Sequence, residues 1–485
     1  MLWDHDDDKL REECGVFGIF GHPEAAILTT LGLHALQHRG QEACGITTYD
    51  GARFHTEKGL GLVGENFRGE DMPSRLPGFA AVGHNRYSTQ GGTALRNIQP
   101  LYSDLAIGGF ALAHNGNLTN ARKLRKRLEE DGAIFQSTMD TEVVMHLVAR
   151  SGRSQITERL ITAMSQLEGG YAFVGLTNGK LIGARDPVGL RPLVLGRLGE
   201  AYVLTSETCA LDLIGAEFIR EIENGEIVII SDEGIESHSP FVARPARPCV
   251  FEYVYFSRPD SYLHGRSVYE VRRRMGRRLA EETLGDIEAD VIVPVPDSGV
   301  PAAIGFSEVA NLPFQMGIIR SHYVGRTFIQ PSQTGRRLSV SKKHAPNRAV
   351  LEGKRVVLID DSIVRGNTSE KIVQMVRDAG ATEVHFRSAS PPIKYPDFYG
   401  IDMPTREELL ASQFNLAEMT ERLGADSLGF LSVEGLYQAI DGTPRDPNQP
   451  AYADHCFTGD YPTALTDRDM DNSAKEQQLS LLDDA

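Results

Sequence analysis

The chain has 485 residues, 41% hydrophobic and 24% charged, the composition of a globular protein of two or three domains. Its net charge of −16 argues against a general nucleic-acid binder, and no apolar run is long enough for a membrane span. Five scattered cysteines and no apolar signal core imply a protein without a disulfide framework, expected in the cytoplasm.

Residues 1–13, MLWDHDDDKLREE, are acidic and read as a leader. Cys14 opens CGVFGIF, an apolar strand pattern, and a helical pattern from Ala25 to Leu36 runs into His38-Arg39-Gly40-Gln41. Short strands and glycine-rich turns continue to about residue 115, with helices expected near 120–130 and 140–150. Strands resume from Ala172 to Ile230, where ENGEIVIISDEG predicts a hairpin. Strands first and last with helices between imply one layered domain over 14–245, and Ala243 to Pro248 reads as the linker. Helix 267–284, strand 290–295 and helix 301–310 then alternate, which predicts an α/β domain over 246–464. Pro294 and Pro296 in that strand demote it to an edge. From 465 the chain is polar and acidic and is expected to be disordered.

The most informative stretch is RVVLIDDSIVRGNTS, Arg355 to Ser369. Val356 to Ile359 form an unbroken apolar run, as in a parallel strand buried on both faces. Asp360 and Asp361 follow at its carboxyl end, where open α/β sheets hold ligands. Ser362, Val364, Arg365, Gly366, Asn367, Thr368 and Ser369 supply hydroxyls and backbone amides in a loop entering a helix. Such a loop is a phosphate site, and two carboxylates beside it suit a divalent cation or a sugar diol. The implied ligand is a phosphorylated sugar with Mg2+; the plain alternative is a solvated acidic turn. No GxxxxGK(S/T) loop is present.

This stretch resembles the ribose-phosphate motif of the type I phosphoribosyltransferases, which bind 5-phosphoribosyl 1-pyrophosphate (PRPP). The resemblance implies that Asp360 and Asp361 hold the ribose hydroxyls and that the following loop holds the 5′-phosphate. It also implies that Asp297-Ser298-Gly299 takes the pyrophosphate, with Ser298, Asp360 and Asp361 around Mg2+. Arg326, Arg336, Arg337, Lys342 and Lys343 concentrate positive charge on an acidic protein. That segment, Tyr323 to His344, reads as a lid over PRPP or else as a solvated basic loop.

Taken alone, Cys14 reads as an inert core thiol. Its neighbours change the reading, because CGVFGIF, LQHRGQEACGI, GHNRYST, HNGNLTN and SxMDTE follow in the content and order of the class II glutamine amidotransferases. That resemblance, over roughly 14–240, implies an N-terminal-nucleophile (Ntn) hydrolase fold, a four-layer αββα sandwich. A processed, first-residue cysteine there attacks the side-chain amide of glutamine. Chemistry gives an independent reason for processing. Cys14 has no histidine in its local segment, and a free α-amino group of pKa ~7.7–8.0 on the same residue would serve as base. Cleavage after Glu13 would create it. The resemblance further assigns Arg86 to the glutamine α-carboxylate, Asp140 to its α-amino group, Gly40 to the same pocket, and Asn115 with Gly116 to the oxyanion hole. Singly, Arg86 reads as a surface cation, Asn115-Gly116 as a hairpin turn and Asp140 as a helix N-cap. Cys44 and Cys209 read as buried thiols.

Both halves together resemble the bifunctional amidotransferases that begin purine synthesis. The expected reaction hydrolyses glutamine at Cys14 and channels ammonia to PRPP, giving 5-phosphoribosylamine, pyrophosphate and glutamate. The resemblance implies feedback inhibition by purine nucleotides and a homo-oligomer, tetramer or dimer, with no nucleic-acid or membrane partner. Asp360 to Ser369 argue against another class II amidotransferase; Cys14, Arg86, Asn115 and Asp140 argue against a non-catalytic PRPP sensor. One branch of these enzymes carries a leader and a four-cysteine 4Fe–4S cluster. Here Cys249 and Cys456 stand at two ligand positions, Asp397 at the third and Ala453 at the fourth, so the usual cluster is not expected. An unusual one would need Asp397 with Asp454 or His455.

Overall fold

The computed structural model describes residues 11–12, 14–69, 71–87, 94–285, 287–320 and 344–468. Most of the leader, residues 321–343 with Arg326, and the tail beyond 468 lie outside the described residues.

In chain order the strands of the first half are β1 (Cys14–Phe20), β2 (Ala43–Tyr49), β3 (Phe54–Leu60), β4 (Ala80–Arg86), β5 (Leu101–Leu105), β6 (Gly108–Leu118), β7 (Gly169–Thr177), β8 (Lys180–Arg185), β9 (Val194–Leu198), β10 (Ala201–Thr205), β11 (Glu217–Glu221), β12 (Ile227–Ser231) and β13 (Gly234–His238). Among the described residues they pair in two sheets, β11-β9-β10-β1-β4-β2-β3 and β13-β12-β8-β7-β6-β5. The expected hairpin is β12–β13, with Ser231 opposite Gly234. Helices α1 (Ala25–Ala35), α2 (Ala121–Glu130), α3 (Asp140–Arg150), α4 (Ile156–Met164) and α5 (Thr208–Ile214) cover the outer faces. β1, β4 and β7 are buried along their whole length because each meets a sheet on one side and helices on the other. Val16, Val82, Val174 and Leu204 fill the layer between the sheets. Phe17 and Leu33 pack under α1, and Phe110, Leu147 and Phe173 under α2 to α4. This is the expected four-layer αββα sandwich. Helices α4 and α5 go beyond the sequence expectation; they form by burying Leu160 and Ala163, and Ala210 and Leu211.

The second half contains α6 (Val268–Thr283), β14 (Val291–Pro294), α7 (Val300–Ala310), β15 (Arg355–Asp360), α8 (Asn367–Asp378), β16 (Glu383–Ser388) and β17 (Ser427–Phe430). The strands form a parallel sheet in the order β14-β15-β16-β17. β14 is its edge, as its prolines require. The period of two explains the apolar run of β15: Val357 and Ile359 join the core with Met275 and Phe306, while Val356 and Leu358 join that of α8. No described helix is long and apolar enough to cross a membrane.

A buried ionic knot ties the halves together. Arg39 Nε donates to Glu207 Oε1, and Arg39 Nη2 donates to Glu252 Oε2 at 2.7 Å and Ser257 Oγ at 3.2 Å. Arg258 N and Ser261 Oγ donate to Glu207 Oε2 at 2.9 and 2.6 Å, and Arg191 Nη1 reaches Glu252 Oε1 at 3.4 Å. The leader and the start of the tail make contacts where they are described. Arg11–Glu12 pair with Ile401–Asp402. Asp467 accepts from the backbone N–H groups of Arg122 and Lys123 at 2.8 and 3.0 Å, so the start of the acidic tail is anchored on the first turn of α2 rather than disordered.

Candidate active site

Cys14 begins β1 and lies opposite Arg86, the last residue of β4. Arg86 is not a surface cation: it is 1% exposed, and its Nη2 lies 3.6 Å from Met139 Sδ, just before α3. Arg86 and Asp140 therefore share one corner. The loop after α1 closes that corner through Gly40. A Cβ on Gly40 would lie 2.7 Å from the carbonyl carbon of Arg86 and 2.8 Å from its nitrogen, so any side chain would push the loop away.

Asp140 does not cap its helix in the expected way. Its Oδ2 accepts from Leu118 N in β6 at 3.0 Å, and His114 Nδ1 stands 3.5 Å from Oδ1. Burial alone would raise its pKa. The neighbouring His114 and the N–H groups of Leu118 and Thr141 outweigh burial and hold the carboxyl below the usual range. An ionised, buried carboxylate suits an ammonium ligand.

Asn115 and Gly116 are no hairpin turn. They lie inside β6, paired with Ala172 and Tyr171 of β7. Asn115 is fully buried, yet neither its Oδ1 nor its Nδ2 has a hydrogen-bond partner among the described residues. A desolvated donor without an acceptor is costly, and it marks the place where an acceptor arrives. Gly116 has φ +131, and a Cβ there would lie 2.2 Å from Gly170 O. β1 and β4 face β6 across the sandwich, which brings Cys14, Arg86 and Asn115 toward one site. Cys44 and Cys209 are buried as expected, and burial pushes the Cys44 thiol up to about 12.

In the second half, Asp360 and Asp361 close β15 and are both buried. Asp361 N donates to Asp360 Oδ1 at 2.9 Å and Ser362 Oγ to Asp361 Oδ1 at 2.5 Å, which fixes the acidic turn. Val364 accepts from Leu410 N at 2.9 Å, and Arg365 Nε lies 3.5 Å from Glu408. Gly366 caps α8, and Asn367, Thr368 and Ser369 form its first turn just beyond the acidic turn that follows β15. The Asp297-Ser298-Gly299 turn lies alongside: a Cβ on Gly299 would lie 2.4 Å from Ile359 O. Asp297 pairs with Arg320 at 2.5 Å, and the buried Ser298 hydroxyl has no protein partner. This oxygen-rich set fits a hard divalent cation such as Mg2+.

The four-cysteine position does not fit an iron–sulfur cluster. Cys249 and Cys456 are buried, but Ala453 offers only a methyl group. Asp397 accepts from Tyr399 N at 2.7 Å, Ile401 N at 2.8 Å and His455 Nε2 at 2.7 Å, and the ligand atoms of Asp397, His455 and Cys456 lie within 4.8 Å of one another.

Residues 84–213 match the family model of a glutamine amidotransferase domain and residues 266–389 that of a phosphoribosyl transferase domain. The chain is 56% identical to amidophosphoribosyltransferase of Rhizobium etli, over 98% of this chain and 97% of that protein. The chain belongs to the amidophosphoribosyltransferase family. The Bacillus subtilis member is 50% identical over 94% of this chain and 95% of its own length. A solved structure of the B. subtilis enzyme, complexed with ADP and GMP, superposes with a TM-score of 0.88 at 49% identity, covering 93% of this chain and 98% of that one. The amidotransferase match takes in Arg86, Asn115, Gly116 and Asp140, and the phosphoribosyl transferase match takes in Asp297 to Gly299 and Asp360 to Ser369.

Three residues near these sites have no role assigned by the sequence reading. Arg39 and Glu252 form the knot above. Arg272 of α6 is buried, donating to Tyr253 O at 2.7 Å and Ser257 O at 2.8 Å. Burial lowers its pKa to about 10, against the pull of Asp361 and Glu207. Only a sequence position opposite those carboxylates in three dimensions distinguishes it from the other arginines of α6.

Proposed function

We propose that this chain makes 5-phosphoribosylamine, pyrophosphate and glutamate from glutamine and PRPP, with domains over 14–245 and 246–464 and a leader removed after Glu13. The observation that carries the reading is the pairing of Cys14 with Arg86 beside the partnerless buried amide of Asn115, in one chain with Asp360 and Asp361 at a parallel sheet's carboxyl end.

Arg86 and Asp140 hold the α-carboxylate and α-ammonium of glutamine, with Gly40 closing the pocket, and the side-chain amide is left toward Cys14. The α-amino group of the processed Cys14 takes the thiol proton, and sulfur adds to the amide carbon. The oxyanion receives hydrogen bonds from Asn115 Nδ2 and Gly116 N. Collapse of the adduct, with the proton returned from the α-ammonium, releases ammonia and leaves a thioester that water hydrolyses to glutamate.

Asp360 and Asp361 hold the ribose hydroxyls, Ser362 to Ser369 the 5′-phosphate, and Asp297 to Gly299 the pyrophosphate, with Arg326 supplying positive charge. Ammonia attacks C1 as pyrophosphate leaves, so positive charge develops on the sugar and water must be kept out. Mg2+ held near Ser298, Asp360 and Asp361 would neutralise the leaving pyrophosphate. The same reading extends to inhibition by purine nucleotides, as the ADP and GMP of the B. subtilis relative suggest, to a dimer or tetramer, and to a cytoplasmic location. The test is glutamine-dependent release of pyrophosphate from PRPP, with ammonia as the alternative donor. Failure with both donors rejects the reading.

A further inference from the structure

Asp397 stands at the third cluster position and His455 directly before Cys456, and both are buried. Two hydrogen bonds to Asp397 Oδ2, from Tyr399 N and Ile401 N, curl residues 397–401 into a closed loop, with His455 bonded to its start. His455 is itself fixed, its ring lying 5.1 Å from that of Tyr399 and 5.0 Å from that of Tyr461. The neighbouring Asp454 accepts from Tyr437 Oη at 2.9 Å and Arg445 Nε at 2.5 Å, anchoring the segment in the second domain.

The outer side of this loop touches the glutaminase. Phe398 O accepts from Asn117 Nδ2 at 2.8 Å, and Tyr399 O accepts from Arg191 Nε at 3.1 Å. Gly400 packs on Gly116 so closely that a Cβ on Gly400 would lie 3.0 Å from Gly116 Cα and 2.8 Å from Arg191 Nη2. Residues 398–400 therefore hold the two residues that follow Asn115.

We propose that Asp397 and His455 are a positioning pair, set in the phosphoribosyltransferase half, that holds the oxyanion strand of the glutaminase in register. The Asp397–His455 hydrogen bond ties together two of the segments at which a cluster would be bound. Gly116 has φ +131 and no side chain, and β7 holds its strand along one edge only, so a restraint from the other side also bears on how its peptide is aimed. The Gly400 contact and the Asn117 hydrogen bond supply the restraint. Oxyanion donors act only if aimed at the developing charge, whereas Arg86, Asp140 and Gly40, on β4, α3 and the loop after α1, are placed to bind ground-state glutamine. Loosening the pair should therefore lower the glutaminase kcat and leave KM for glutamine alone.

The inference rests on the proposed function, and the test separates the two. Processed full-length wild-type enzyme is assayed first for glutamine- and ammonia-dependent synthesis; inactivity with both donors defeats the functional reading itself. Asp397→Asn keeps the side chain's shape but discharges the pair. Gly400→Ala leaves Asp397 and His455 unchanged in the sequence, but at φ +122 it strains the loop and wedges a methyl group against Gly116. Each should lower glutaminase kcat on the order of tenfold, less than loss of a whole oxyanion donor. KM for glutamine and ammonia-dependent synthesis should stay within about twofold, since neither depends on the oxyanion. Should Asp397→Asn fail to fold, Gly400→Ala decides. Unchanged glutaminase kcat in the folded variants, an equal fall in ammonia-dependent synthesis, or a rise in KM with kcat preserved would overturn the proposal. So would iron and sulfide near four each per wild-type chain after anaerobic purification, since Asp397 would then be a ligand.

Discussion

Replacing Asn115 with alanine should separate catalysis from stability at the oxyanion site. The side chain is fully buried and its amide has no protein partner, so folding bears its desolvation, about 1–3 kcal/mol. Truncation relieves that penalty and leaves a small cavity worth about 2 kcal/mol. The two offset, and the folded state should change little. The transition state, by contrast, loses one of two donors, a fall in kcat of about 10²–10³, or about 2.7–4 kcal/mol. Glutaminase rates, ammonia-dependent synthesis and thermal melts on one preparation read all three quantities. The expected result is the loss of kcat, a melting shift of no more than about 4 °C, and intact use of ammonia. A loss of less than about fivefold, or a large drop in melting temperature, would refute the reasoning, because Asn115 would then be supporting the fold rather than the oxyanion.

Cys14→Ala should abolish glutamine use while ammonia-dependent synthesis persists. Intact-mass measurement of active protein should show a chain starting at Cys14; full activity in a chain still carrying Met1 would reject the α-amino base. Gly40→Ala, whose Cβ would collide with the Arg86 backbone, should raise KM for glutamine more than tenfold, by about 1.4 kcal/mol or more, and equilibrium binding of glutamine to a Cys14→Ala background checks it. Glu207 is buried, but Arg39, His38 and Ser261 outweigh burial and hold its carboxyl well below the usual glutamate range. The unfolded chain therefore binds the proton first, and the contribution of Glu207 is complete above an unfolded pKa of about 4.3 and lost as pH falls toward the lower folded value. Denaturant titrations should show a shallower acid loss of stability in Glu207→Gln, together with a cost of about 3–5 kcal/mol at neutral pH from the unbalanced Arg39. An unchanged acid slope would show that the knot does not stabilise the interface in this way.

The local part of this protein is written in its sequence. The run Val356 to Ile359, the acidic pair after it and the hydroxyl-rich loop before α8 are consecutive, so spacing alone reveals strand, ligand end and phosphate loop. The need of Cys14 for its own amino group likewise follows from the chemistry of one residue and the lack of a neighbouring base. Non-local pairing is different. Asn115-Gly116 has the local form of a turn and becomes part of a strand only because β7 supplies a partner more than fifty residues away, at Tyr171 and Ala172. Arg86 has the composition of a surface residue and is buried because β4 lies between β1 and β2. Arg39 meets Glu252 across a separation of 213 residues, and Asp397 meets His455 across 58. Nothing in the flanking residues marks those partners, because the energy of a buried charge depends on what surrounds it after packing and not on what precedes it in the chain. The chemistry could be read from one dimension; which groups hold it in place was decided when distant segments packed together.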